Sequence, residues 1–140
     1  MSRAVADGRY SGDMPLPTAP DVLLLSSEWP DRALLRAQLL EDGYEVVAFD
    51  AWPIPELYAV PGMKPRLALI DLRGLPEPRE TLEAAVGLFG AESILVLTAL
   101  GTMRADEVER LGVRAIGRPA SVGQIVAIVS AAFARRSAAR

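Results

Sequence analysis

Leu67-Ala68-Leu69-Ile70-Asp71 is an unbroken apolar run that stops on a carboxylate. A strand with one wet face alternates apolar and polar residues, whereas a strand covered on both faces reads as continuous apolar sequence. The stretch therefore predicts a buried parallel strand with Asp71 at its carboxyl end. Four further runs share the character: Val22 to Leu25, Glu45 to Phe49, Ile94 to Leu97 and Val113 to Ile116. Helix-length segments separate them, so the chain predicts a β-α repeat with a parallel sheet between two helix layers.

The intervening segments carry helix signals of unequal strength. A first helix is expected from about Asp31 to Asp42, with Leu34, Leu35, Gln38 and Leu39 as its apolar stripe and Gly43 as the left-handed stop. The second segment holds Pro53, Pro55 and Pro61 and is expected to be short, distorted or partly loop. A third helix should begin near Pro78 and carry Leu82, Ala85, Val86 and Phe89, and a fourth should start with Thr102 as N-cap and stop at Gly112. The fifth opens on Ser121 and Gln124 at capping-box spacing and ends on the cations Arg135 and Arg136.

A chain of 140 residues predicts one substantial core. Residues 1–19 are rich in Gly and Pro and are expected to form a mobile tail, followed by a domain over 20–136 and a short tail over 137–140. The net charge of -3 comes from interspersed acids and bases, which leaves no basic stripe for nucleic acid and no polybasic membrane anchor. With neither cysteine nor histidine, the chain has no disulfide, no thiolate or imidazole metal site, no cysteine nucleophile and no histidine base. No stretch has the length of a signal peptide or spanning helix, so a cytoplasmic location is expected.

In an open α/β sheet, chemistry gathers outside the carboxyl ends of the strands. The strand-end residues are Ser26 and Ser27 after the first run, Asp71 after the third, Thr98 after the fourth, and Arg118 with Pro119 after the fifth. A carboxylate to attack, a hydroxyl to hold phosphoryl oxygens and a cation to neutralise charge would suit a phosphoryl acceptor.

Over about Asp21 to Arg136 this pattern resembles the receiver domain of bacterial two-component response regulators. The residues that carry the resemblance are Ser27-Glu28-Trp29-Pro30-Asp31, Asp71-Leu72-Arg73 with Leu75-Pro76, Leu97-Thr98-Ala99, and Arg118-Pro119. It implies a flavodoxin-like (βα)5 three-layer sandwich, strand order 2-1-3-4-5, with Asp71 at the phospho-acceptor position. It also implies a Mg²⁺ site formed by two adjacent acids, the acceptor and the carbonyl of Arg73.

The chain departs from that pattern where the acids should stand, at Ser26 and Ser27. A neutral hydroxyl is a weak ligand for an ion that relies on carboxylates, so Mg²⁺ binding is expected to be weak or absent. Glu28 is the nearby substitute acid. Arg118 replaces the usual lysine and is expected to pair with Asp71, and Ala115 stands where the family commonly has a reporter aromatic.

The expected reading is a non-catalytic pseudo-receiver, acting by contact with a protein partner in bacterial signalling. The alternatives are a phospho-accepting receiver using Asp71, with metal held through Glu28, and a flavodoxin-like domain binding a nucleotide or flavin phosphate. The last lacks a glycine-rich cradle, because Ser26 to Asp31 contains no glycine and two acids. On the last helix, Val122, Ile125, Val126, Ile128, Val129, Ala132 and Phe133 should face the sheet. Gly123, Gln124, Ala127, Ser130, Ala131 and Ala134 should face outward, a surface without charge. The resemblance places partner or homodimer contacts on the fourth helix, fifth strand and fifth helix, so Gln124, Ala127 and Ala131 are the expected interface.

Overall fold

A computed structural model describes residues 18–117 and 120–138. The elements in chain order are β1 (Val22–Leu25), α1 (Trp29–Glu41), β2 (Val46–Phe49), a 3₁₀ turn over Glu56–Ala59, β3 (Leu67–Asp71), α2 (Pro78–Phe89), a 3₁₀ turn over Ala91–Ser93, β4 (Ile94–Leu97), α3 (Ala105–Glu109), β5 (Arg114–Ile116) and α4 (Val122–Ala138). The five strands are all parallel and lie in the order β2-β1-β3-β4-β5. This is the flavodoxin-like arrangement.

Period-two alternation divides the strand side chains between two cores. Leu23, Leu25, Ala68, Ile70 and Val96 face one way, where Leu82, Ala85 and Phe89 of α2 and Val108 of α3 cover them. Val22, Leu24, Leu67, Leu69, Leu95 and Leu97 face the other, against Leu35 and Leu39 of α1 and Ile125, Val126, Val129 and Phe133 of α4. Because both faces are covered, the central strands must be apolar throughout. The outermost strands are less enclosed, with β2 half-buried along its length.

Local chemistry sets the helix ends. Pro30 sits in the first turn of α1, where its missing N–H would have had no helical partner. Gly43, at φ 95°, turns the chain out of the helix and donates to the Leu40 carbonyl. The proline-rich segment after β2 yields only the short 3₁₀ turn. At the start of α4, the Gln124 N–H donates to Ser121 Oγ and the Ser121 N–H donates to Gln124 Oε1, a reciprocal box.

Three expectations are corrected. The short α3 starts after Arg104 rather than Thr102: Glu107 Oε1 accepts the Arg104 N–H, while the Thr102 hydroxyl is occupied in a turn with the Ala99 carbonyl. α4 continues to Ala138, two residues beyond the helix end expected at the cations Arg135 and Arg136. Leu34 does not join the stripe of α1, because one residue of helix is about 100° of rotation, which carries it outward to 57% exposure while Leu35 stays at 1%. Leu34→Gln is therefore expected to change stability by less than about 0.5 kcal/mol, and Leu35→Ala to cost about 3 kcal/mol, in urea denaturation.

Candidate functional site

Strand register assembles the site before any side chain is considered. Leu25 pairs with Ile70, so Ser26 stands level with Asp71, and Asp71 pairs with Leu97, so Thr98 follows one step on. Asp71 is completely buried. An ionised carboxylate in that position must have its oxygens satisfied.

They are satisfied by a residue two positions along the chain. Arg73 donates its backbone N–H to Asp71 Oδ1 at 3.0 Å, its Nε–H to both carboxylate oxygens at 3.3 and 3.2 Å, and an Nη2 hydrogen to Oδ2 at 2.8 Å. The same Nη2 reaches Asp31 Oδ2, in the first turn of α1, at 2.6 Å. Ser26 Oγ also donates to Asp71 Oδ2, at 3.2 Å. The hydrogen bond to Asp71 is the largest influence and raises the Arg73 guanidinium above its usual pKa; burial opposes it, and the hydrogen bond to Asp31 adds to the rise. The guanidinium stays charged at every accessible pH.

The backbone of the same residue is also engaged. Ser27 Oγ donates to the Arg73 carbonyl at 2.8 Å. Gly74 makes this approach possible: it has φ 76°, and a Cβ at that position would stand 2.1 Å from Ser27 Oγ. On the other side of the loop, Arg32 donates to the Ser26 carbonyl at 2.7 Å, and the Glu28 N–H donates to Ser26 Oγ at 3.3 Å. The loop between β1 and α1 is thus tied to the loop after β3 through both serines.

The structure therefore brings Ser26, Ser27, Asp71 and Arg73 together. Glu28 lies at the exposed edge of the group, with Oε2 close to Gly74. Thr98 is buried but donates to the Ile116 carbonyl of β5 at 3.4 Å, so its hydroxyl is directed along the sheet. Arg118 and Pro119 lie outside the described residues, and with them the expected pairing of Arg118 with Asp71. The partner that sequence reasoning missed is the Arg73 side chain, which had been assigned a role only through its carbonyl. The signal was the spacing Asp-x-Arg, which lets a long side chain fold back on a strand-end carboxylate.

Of the residues expected at the outer face of α4, Gln124, Ala127 and Ala131 are exposed. Ser130 is not free on that face: it is half-buried, and its Oγ accepts from the Tyr44 hydroxyl at 3.1 Å. Among the described residues no cluster of three or more acids could hold a metal ion. No helix there is long and apolar enough to cross a membrane.

Comparison with solved structures gives the class of this fold. A CheY-like response regulator receiver domain from Methanospirillum hungatei JF-1 superimposes with a TM-score of 0.71 at 18% identity, covering 88% of this chain and 100% of that one. A response regulator receiver domain protein from Clostridium thermocellum gives 0.70 at 14% identity, covering 85% and 98%. NtrX from Brucella abortus gives 0.65 at 19% identity over 86% of this chain, which spans 29% of the NtrX chain. No protein-family model matches the sequence, and no curated protein matches it. The chain has the receiver-domain fold, with Asp71 at the carboxyl end of the central strand β3.

Proposed function

We propose that this chain is a non-catalytic receiver-like module of a bacterial phosphorelay, in which an internal cation takes the place of a metal ion at the acceptor carboxylate. The observation that carries this reading is the Arg73 guanidinium on both oxygens of the buried Asp71. A phospho-accepting aspartate must present a free oxygen to the incoming phosphorus, and its divalent ion must neutralise the charge that develops. Here both oxygens already accept hydrogen bonds. The carbonyl that a metal would use accepts from Ser27, and the flanking acids are serines. These residues fit a guanidinium better than Mg²⁺, which usually needs one or two carboxylates and dehydrates reluctantly.

In this reading the domain works through protein contact, in one conformation, by way of α3, β5 and the exposed Gln124, Ala127 and Ala131 of α4. The test has two arms. Treatment with acetyl phosphate and millimolar Mg²⁺ should give no phosphorylated species by intact mass, whereas a stoichiometric adduct on Asp71 would replace this reading with a working receiver. Light scattering across a concentration series should show self-association that Ala127→Glu with Ala131→Arg removes without unfolding. A protein that stays monomeric throughout would remove the second copy as its partner.

A further inference from the structure

At the opposite end of the strands from Asp71, the first residues of β3, β4 and β5 and the last turns of α4 surround an open recess of about 390 Å³. Three arginines line it in a chain whose net charge is -3: Arg114, Arg135 and Arg136. Their states differ. Arg136 is consumed structurally, donating to the Arg66 and Glu92 carbonyls and to Ser93 Oγ, so it fastens α4 to the lower edge of the sheet. Arg114 and Arg135 are exposed and make no ion pair among the described residues. Ala91 and Ala132, both half-buried, contribute apolar surface to the same recess. Glu92 also lines it, and its carboxylate lies against Gly90, where an added Cβ would come within 2.8 Å of Oε1.

We infer that this recess binds a phosphate monoester carried on a short aliphatic body, with Arg114 and Arg135 on the phosphate and the Ala91 and Ala132 surface against the alkyl part. Two guanidinium forks match the charge and the several acceptor oxygens of a dianion, whereas a single carboxylate would leave one fork unused. The volume lies in the small-molecule range. An apolar wall beside the cations favours a ligand with a body over a bare ion. The site is independent of Asp71 and of the function proposed for it.

Hexyl phosphate and inorganic phosphate, titrated separately into the full chain and followed by amide chemical shifts, test this directly. Hexyl phosphate should shift amides of Ala91 to Leu95, Arg114 and Ala132 to Arg136, and should bind at least about tenfold more tightly than inorganic phosphate. Arg114→Gln and Arg135→Gln should each weaken it by about tenfold with the amide spectrum otherwise retained, and Glu92→Gln should tighten it. Either arginine variant suffices should the other fail to fold. Cosedimentation with vesicles containing phosphatidic acid, lost in the same variants, would make the source a lipid headgroup, and hexyl phosphate binding without cosedimentation would make it a soluble ester. Three outcomes overturn the site: no binding of hexyl phosphate, equal affinity for the bare ion, or arginine variants that bind like the parent chain.

Discussion

Arg73→Ala should lower the unfolding free energy by about 3 kcal/mol at neutral pH, a large loss for a single residue that is not in the apolar core. Asp71 is fully buried, and the Arg73 guanidinium donates to both of its oxygens. Truncating the side chain removes those donors and their charge from a buried carboxylate. It also removes the hydrogen bond that the same Nη2 gives Asp31 of α1 at 2.6 Å. A double-mutant cycle with Asp71→Asn separates the pair from incidental packing loss. The amide carries no charge, so Arg73→Ala should cost markedly less in that background, with a coupling of more than about 1 kcal/mol. Additive costs in urea denaturation would remove the ion pair from the account.

Rebuilding a metal site should require three changes rather than two. Ser26→Asp with Ser27→Asp restores the acids that receivers carry, but Arg73 still fills the space with a positive charge. That double variant is expected to bind Mg²⁺ poorly. Adding Arg73→Ala should produce a saturable change in Trp29 fluorescence at millimolar Mg²⁺, read in a Trp52→Phe background so that Trp29 is the single reporter. Trp29 is 67% exposed and begins the helix that follows the two serines, so it senses that loop. The three clustered carboxylates would repel one another in metal-free solution, so Mg²⁺ should also raise the melting temperature of the triple variant and leave that of the parent unchanged. Saturable binding by the parent chain at similar concentrations would show that Arg73 yields to the ion.

The two predictions share a physical premise: the charge that a divalent ion would supply is built into the chain. A tethered guanidinium does not dissociate, and its strongly raised pKa keeps it charged. Under the proposed function, this tethered cation takes the place of a partner that binds and leaves. That is the property expected of a module that holds one state for a protein contact.

Much of the architecture follows from the sequence alone, because it depends on patterns that act locally or repeat. The continuous apolar runs at 22–25, 67–70 and 94–97 can be accommodated only where both faces of a strand are covered, which implies parallel strands between helix layers. Gly43 and the Ser121 and Gln124 pair mark helix ends through their own backbone chemistry. The presence of Asp71 at a strand end and of serines at 26 and 27 is also plain in the sequence.

Tertiary structure decided what rotation, register and side-chain reach decide. Leu34 and Leu35 are equally apolar, and only docking of α1 on the sheet determines which of them meets the core. Thr102 and Arg104 compete for the start of α3, and the outcome depends on the turn that fits between β4 and β5. The direction of the Arg73 guanidinium depends on a buried Asp71 and on Asp31 of α1, 42 residues away in sequence, standing within reach of one side chain. Sequence spacing records that the reach is possible. Only the packing of α1 against the strand ends, which brings both carboxylates to one place, makes that conformation the lowest in free energy.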